Sequence, residues 1–108
     1  MIAMQDFKRL DLRVGQIDSA EVIPGSQRLL RVQVDLGGES RTLVAELAAY
    51  YSPEQLVGLK VIVVANMEPA VIRVVQSQGM MLGAGCSGGR DAALLTVNKD
   101  VPNGTQVE

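Results

Sequence analysis

Hydrophobic and polar residues alternate with a period of two through much of the first half of the chain. Asp11–Val22 alternates in this way, and Leu29–Leu36 does so again before it stops at Gly37-Gly38. Such alternation is typical of half-buried strands, and a glycine pair between two strands predicts a hairpin. We therefore predict two strands here, with Ser40–Ala45 as the hairpin partner of the second and a short helical segment, Asp6–Leu10, before the first.

A short helix is predicted after the third strand. Ser52 is a typical N-cap residue, and Gln55 completes a capping box with it. Pro53 suits the first helical position, and Gly58 suits the end of the helix. These signals leave room for only one or two helical turns.

The second half of the chain begins with an uninterrupted apolar run. Val61–Ala65 is apolar at every position and rich in β-branched residues, which predicts a central strand buried on both faces. A loop containing Pro69 separates it from a fifth strand, Gly79–Gly83, and Leu94–Val97 is predicted as a last short strand. Five main strands with one small helix between the third and the fourth is the order of an all-β OB-fold. This five-stranded Greek-key barrel commonly binds oligonucleotides or oligosaccharides.

Composition narrows the chemistry that the chain can carry. Its 108 residues suffice for one domain with a single core. No apolar run approaches the roughly 18 to 20 residues of a membrane span, and the N-terminus lacks a secretory pattern, so we expect no membrane association and a cytoplasmic location. The chain has no histidine and one cysteine, Cys86, which removes the commonest general base and the usual metal-ligand spacings. We therefore expect no catalytic residue, no metal and no cofactor.

Two features limit how the chain can bind nucleic acid. The net charge is −2 and the pI is about 5.1, whereas non-specific binding comes mainly from neutralising phosphates. The only aromatic residues are Phe7, Tyr50 and Tyr51, too few for a base-stacking platform, and packing over the barrel end is the favoured role of the tyrosines. A nucleic-acid site must therefore be a local patch that uses phosphate contacts and shape.

One glycine-rich segment mimics a nucleotide-binding motif. Residues 83–88, GAGCSG, match the G-x-G-x-x-G string of dinucleotide sites. That fingerprint requires a helix that starts at the third glycine within a strand–helix–strand unit, and here Gly89-Arg90-Asp91 leads instead to predicted strand residues. We therefore interpret 83–89 as a turn and assign no catalytic role to Cys86.

Four blocks of sequence, in this order along the chain, point to a known family. They are Leu10–Gly15 (LDLRVG), Tyr50–Gly58 (YYSPEQLVG), Val63–Asn66 (VVAN) and Gln76–Leu82 (QSQGMML). The chain resembles the tRNA-binding domain found at the C-terminus of many methionyl-tRNA synthetases, as a separate beta subunit of some, and as free structure-specific tRNA-binding proteins. The resemblance covers about residues 6–108.

The resemblance implies a structure-specific tRNA-binding module that performs no catalysis itself. It implies a single domain over residues 1–108, with the barrel at about 11–86 and a C-terminal extension at about 87–108 through which two copies form a homodimer. It also implies that tRNA is recognised by its folded outer corner with little sequence readout. The expected partners are tRNA, a second copy of the chain and the catalytic chain of a methionyl-tRNA synthetase.

The resemblance also implies which residues contact RNA. An arginine can bind phosphate through two N–H groups, Asn and Ser can bond phosphate or 2′-hydroxyl oxygens, and Met can pack against a ribose or a base. The expected RNA-binding residues are Lys60, Asn66, Arg73, Ser77, Met80 and Arg28, with Arg31 as a further candidate for the positive patch.

The chain departs from the family pattern at four places in this surface. Gln27-Arg28 stands where the family usually has Asp-Lys, Ala45 replaces a serine, and Val71 replaces a lysine. Arg73-Val74 stands where the family usually has Arg-Gly. Each change removes or weakens a surface contact, so the resemblance leads us to expect a reduced tRNA affinity.

Two alternatives to tRNA binding stay open. The fold and dimer also resemble a small secretion-associated chaperone family, in which a dimeric OB-fold binds unfolded peptide in an apolar groove. The scaffold could also serve mainly for dimerisation. The expected dimer interface contains Leu94, Leu95, Val97 and Val101, because a five-stranded barrel has little further core to bury them. Periodicity alone equally allows the late strand to extend the barrel's own sheet.

Overall fold

The computed structural model describes residues 1–88 and 90–108 and is dominated by strands. The strands are β1 Leu12–Val22, β2 Leu30–Asp35, β3 Ser40–Ala45, β4 Lys60–Val64, β5 Ala70–Ile72, β6 Val75–Ser77, β7 Met80–Met81, β8 Gly83–Ala84, β9 Ala93–Leu94 and β10 Gln106–Val107. The helices are α1 Met4–Phe7, α2 Pro53–Leu56 and a 3₁₀ helix, Cys86–Gly88. Within the described residues no helix is long and apolar enough to cross a membrane.

The main sheet is antiparallel and has β1 at its centre. Its order is β3-β2-β1-β4-β7, and β10 also pairs with β1. The first half of β1 pairs with β4, and its second half pairs with β2 after a register shift between Ile17 and Ser19. This shift bends the long strand, which lets one strand serve both sides of a barrel. The all-β OB-like fold predicted from the strand order is confirmed.

The barrel is closed at β3 by side chains. The N–H of Val44 donates to Ser77 Oγ at 3.0 Å, and the N–H of Thr42 donates to Gln78 Oε1 at 3.1 Å. In return the N–H of Gln78 donates to the Thr42 carbonyl at 2.8 Å. The edge of β3 is therefore satisfied without a regular strand ladder, and we call this set of three bonds the β3 seam.

The core follows the predicted alternation. Alternate residues of β2 are buried, and β3 has one buried residue, Leu43. Strand β4 is buried on both faces from Val61 to Val64, as its continuous apolar run predicts. The main cluster contains Val61 and Val63, while Ile62 and Val64 are buried opposite β1 residues outside that cluster. The main core cluster comprises Ile17, Leu30, Val32, Val34, Leu36, Leu43, Leu47, Leu56, Val61, Val63, Ala65 and Ala92.

The predicted hairpin and helix are present. The β2–β3 turn holds Gly37 and Gly38 at φ values of 77° and 100°, a conformation that glycine adopts without steric cost. The helix α2 begins after Ser52, whose N–H donates to Gln55 Oε1 at 2.8 Å. The capping box read from the sequence is therefore confirmed at the helix start.

Several local predictions differ from the structure. The N-terminal helix spans Met4–Phe7 and not Asp6–Leu10. The expected fifth strand, Gly79–Gly83, is divided, because the chain pairs with β4 as β7 and then turns to pair with β9 as β8. The strand predicted at Leu94–Val97 is β9, Ala93–Leu94, and the chain forms one later strand, β10.

The glycine-rich turn was also predicted in too simple a form. Residues 83–88 contain β8 and the 3₁₀ helix, and Gly89, which the prediction included, lies outside the described residues. The loop around Pro69 in turn holds an additional hairpin, β5–β6. That hairpin carries part of the candidate site.

Candidate nucleic-acid interface

Two connections approach each other beside β3 and form a groove. One is the β1–β2 connection, residues 23–29, and the other is the β5–β6 hairpin. Arg73 Nη1 lies 3.8 Å from the position that a Cβ on Gly25 would occupy, so the two connections are close. OB-folds bind oligonucleotides at the corresponding loops and strand face. This groove has a volume of about 650 Å³ and is lined by Gly25, Ser26, Gln27, Arg28, Leu29, Val44, Glu46, Ile72 and Arg73.

The β5–β6 hairpin places Arg73 at its tip. Ile72 pairs with Val75, which leaves Arg73 and Val74 as a two-residue turn. Their φ values of 48° and 60° are typical of a type I′ turn, a position that usually holds Asn or Gly. Val74 is 96% exposed, and the Arg73 side chain lines the groove. A strained turn therefore presents one cation to the groove and one apolar side chain to solvent.

Arg28 faces the same groove from the β1–β2 connection. The hydroxyl oxygen of Ser26 accepts the N–H groups of Arg28 and Leu29 at 3.2 and 3.1 Å. The Arg28 carbonyl accepts the N–H of Ala48 at 3.0 Å, which ties this connection to the segment after β3. The backbone of Arg28 is thus fixed. Across residues 1–88 and 90–108, neither Arg28 nor Arg73 takes part in an ion pair.

The hairpin separates this groove from a second one. The second groove has a volume of about 340 Å³ and is lined by Arg31, Thr42, Val74, Val75, Gln76 and Gln78. Arg31 forms an ion pair with Glu21 at 3.4 Å, in which both side chains are well exposed. Such a pair contributes little to stability, so Arg31 can exchange its carboxylate for a phosphate at small cost.

Two other arginines near the barrel are engaged by the protein itself. Arg13 Nε and Nη2 donate to the two carboxylate oxygens of Asp11, at 3.0 and 2.9 Å. These hydrogen bonds lower the pKa of Asp11 and raise that of Arg13. Arg41 donates to the carbonyls of Ala65 and Gln78 at 2.7 and 3.1 Å. Arg13 and Arg41 therefore stabilise the barrel and are poor candidates for phosphate.

Asn66 and Ser77 lie in the predicted RNA-binding stretch but bond to the protein backbone. Asn66 Oδ1 accepts the N–H of Asp11 at 2.9 Å, and its Nδ2 donates to the Arg9 carbonyl at 2.7 Å. Ser77 is only 6% exposed, and its hydroxyl accepts from Val44 in the β3 seam. Ser77 thus fixes β6 against β3, and Asn66 fixes the end of β4 against the connection between α1 and β1. Their direct contact with RNA stays a prediction.

Lys60 and Met80 are not among the residues that line the two grooves. Lys60 Nζ donates to the Val101 carbonyl at 2.7 Å and to Asn103 Oδ1 at 2.6 Å, and it lies 3.4 Å from Asp100 Oδ1. Lys60 Nζ is thus held by two hydrogen bonds and an ion pair to the C-terminal segment. An RNA contact by Lys60 stays a prediction that requires these interactions to break. Met80, in β7, pairs with Val64 of β4 and is 45% exposed.

The structure brings one further charged residue to the groove that the sequence did not single out. Glu46 directly follows β3 and lines the groove together with Arg28 and Arg73. Nothing in the local sequence distinguishes it from an ordinary surface carboxylate. Only the fold, which places Glu46 at the end of β3 and opposite the β1–β2 connection, shows that it shares the groove with the two arginines.

Sequence comparison decides the family. The family model described as "Putative tRNA binding domain" matches residues 12–106. The chain belongs to this tRNA-binding domain family. The methionine–tRNA ligase of Methanothrix thermoacetophila is 52% identical to this tRNA-binding domain over 104 residues, which are 96% of the chain and 15% of that protein. The corresponding enzyme of Methanoregula boonei is 46% identical over 107 residues, 99% of the chain and 16% of that protein. The domain thus spans about one sixth of these relatives.

Solved structures agree with the family and the fold. A MetRS related protein from Pyrococcus horikoshii superposes on the tRNA-binding domain with a TM-score of 0.92 and 34% identity, covering 100% of this chain and 98% of that one. The chaperone CsaA from Bacillus anthracis superposes with a TM-score of 0.90 and 32% identity, covering 100% and 99%. Both chains are matched over nearly their full length.

Proposed function

We propose that this tRNA-binding domain binds folded tRNA through the groove of Arg28 and Arg73 and acts with a methionyl-tRNA synthetase, either as part of the same polypeptide or as a separate subunit. The observation that carries the proposal is the convergence of these two arginines, which form no ion pair in residues 1–88 and 90–108, on one groove. Each guanidinium can bind a phosphate through two N–H groups. The domain itself performs no catalysis and needs no cofactor.

The small number of basic residues at the groove predicts a modest salt dependence. Each phosphate contact releases roughly 0.7 to 0.9 of a counterion, so two contacts give a slope of about −1.4 to −1.8 in log K against log salt. The departures at Ala45 and Val71 add no charge to this surface. A second domain copy that engages the same tRNA would double the slope.

A titration with labelled unfractionated tRNA tests the proposal. Arg73→Ala and Arg28→Ala should each weaken binding several-fold and reduce the slope by about one counterion. Lys99→Ala removes the same charge from an exposed position that lines neither groove, and it is the matched control. Absence of tRNA binding at low salt, or equal affinities of all variants, would contradict the proposed function.

A homodimer is part of the proposal. Leu95 is 41% exposed beyond β9, and Leu94, Val97 and Val101 are half-buried on the same C-terminal segment. One exposed apolar side chain with half-buried apolar neighbours on the same segment suits an interface between copies. Sedimentation should give a dimer at micromolar concentration, and Leu95→Asp should shift it toward monomer. A wild-type monomer would remove the dimer from the proposal.

Peptide binding of the chaperone type is the second candidate function, favoured by the similarity to the CsaA structure. A cavity of about 340 Å³ between α1 and β10 has mostly apolar lining residues, including Met4, Phe7, Leu10 and Val107. Met4 and Leu10 are 66% and 44% exposed. This function would be supported if the domain suppresses the aggregation of an unfolded client protein and if added tRNA does not reduce that suppression.

A further inference from the structure

A further cavity lies beside the groove of Arg28 and Arg73. It has a volume of about 460 Å³ and is lined by Arg28, Glu46, Ala49, Tyr50, Cys86 and Ser87. Arg28 and Glu46 line both this cavity and the groove, so the two spaces adjoin. Its volume lies in the range of roughly 300 to 1,000 Å³ that is typical of small-molecule sites.

The wall that carries Glu46 is held in place by backbone bonds. The N–H groups of Tyr50 and Tyr51 donate to the Leu47 carbonyl, both at 2.9 Å, which forms a tight turn after β3. The N–H of Ala48 in that turn donates to the Arg28 carbonyl at 3.0 Å. Tyr50 is half-buried against the core cluster. Glu46 and the aromatic side chain of Tyr50 are therefore presented by a braced segment.

Glu46 is difficult to explain if the groove binds phosphate alone. Glu46 is exposed and lines the same spaces as Arg28, yet within residues 1–88 and 90–108 neither forms an ion pair. A carboxylate beside a phosphate is repulsive unless the ligand offers it hydrogen-bond donors. RNA offers such donors on the exposed edges of unstacked bases.

Guanine is the base whose Watson–Crick edge suits a carboxylate. Its N1–H and N2–H groups are two adjacent donors, which match the two oxygens of Glu46. The same edge of adenine or cytosine alternates a donor with an acceptor, and that of uracil has one donor between two acceptors. A carboxylate can therefore accept two bonds from guanine and only one from each of the others.

We propose that this cavity binds one unstacked guanine of the RNA, with the Glu46 carboxylate accepting from N1–H and N2–H. The base lies against the side chain of Tyr50, and Arg28 binds the adjoining phosphate at the mouth of the cavity. This inference rests on the proposed tRNA-binding function and adds a base preference to a surface otherwise suited to phosphates and shape.

The sign of one variant's effect separates this role from simple repulsion. Glu46→Gln removes a negative charge, and if Glu46 only repels phosphate, tRNA binding must become tighter. If Glu46 accepts from guanine, the new amide N–H₂ faces a donor and tRNA binding should weaken about tenfold. Glu54→Gln makes the same charge change on α2, away from the cavity, and should leave affinity unchanged. Unchanged or tighter binding by Glu46→Gln overturns the proposal.

Mononucleotides test the base preference independently. In an amide NMR titration, guanosine monophosphate should shift the signals of residues 46–50 more strongly than adenosine or inosine monophosphate, and Glu46→Gln should abolish the difference. Inosine lacks the 2-amino group and is the matched ligand control. Equal responses to all three nucleotides overturn the guanine site while leaving tRNA binding intact. Loss of tRNA binding in every assay would instead overturn the proposed function.

Discussion

Replacing Val74 by glycine should stabilise the domain, although it removes a hydrophobic side chain. Val74 has a φ of 60°, in the left-handed region, where a β-branched residue is strongly disfavoured. The side chain is 96% exposed, so its removal sacrifices almost no buried area. The stability change is therefore governed by the backbone.

The magnitude follows from two opposing terms. The left-handed conformation costs an ordinary L-residue about 1 to 2 kcal/mol, and glycine adopts it freely. Glycine also makes the unfolded chain more flexible, which costs about 0.5 to 1 kcal/mol. The net expectation is a gain of about 0.5 to 1 kcal/mol, or a rise in Tm of about 2 to 4 °C for a chain of this size.

Val71→Gly is the matched control. Val71 is also an exposed valine of the same hairpin, at 72%, but it lies in β5 and its φ is not positive. The identical chemical change should therefore destabilise the domain by about 0.5 to 1 kcal/mol. Urea unfolding of both variants measures the difference directly. If both lower the free energy of unfolding by similar amounts, the turn is not strained and the argument fails.

Three further predictions concern the barrel. Gly15→Ala should lower the free energy of unfolding, measured in urea, by about 1 to 3 kcal/mol, because a Cβ there would meet two core side chains at 2.5 and 2.9 Å. Gly88→Ala is the control and should have little effect, because a Cβ at Gly88 would meet open space. The pKa of Asp11 is lower in the folded state than its ordinary value of 3.8, so the ionised carboxylate stabilises the fold at pH values above 3.8. The difference in unfolding free energy between wild type and Asp11→Asn should therefore shrink as pH falls through the lower folded pKa. A difference that stays constant with pH would contradict this prediction. Lys60→Met should destabilise the domain by about 1 to 3 kcal/mol, unlike Lys99→Met, since it leaves oxygens of the C-terminal segment without their donor. Loss of tRNA affinity by Lys60→Met with unchanged stability would instead favour a direct RNA contact.

The main strands of the barrel could be predicted from the sequence because burial of a strand leaves a regular pattern of apolar residues. Strands β1, β2 and β4 could be predicted from alternation or continuous apolarity, and β3 could be predicted as the hairpin partner that follows Gly37-Gly38. The β5–β6 hairpin could not, because its strands have three residues each and its turn lacks the Asn or Gly that signals a type I′ turn. It is positioned instead through the β3 seam, a tertiary feature.

The candidate site was predicted less completely, because the sequence does not show which group each polar side chain bonds. Residue type alone makes Asn66 and Lys60 plausible RNA contacts, but their hydrogen-bond partners lie 55 to 57 and 41 to 43 residues away in sequence. No local pattern reveals whether a polar group is already satisfied. Arg28 and Arg73 remain available because they lie in connections that face a groove and not a neighbouring element.

The β3 seam has a mechanical consequence. Because two of its three bonds come from the side chains of Ser77 and Gln78, the seam can open without breaking a continuous strand ladder. Such an opening requires less free energy than unfolding of the core strands. The arginine-bearing hairpin can thus move away as one flap while the ladders that join β3, β2, β1 and β4 stay paired. The exchange rates of the Thr42 and Val44 amide protons report how often the flap is open, and a ligand that clamps the hairpin must slow both together.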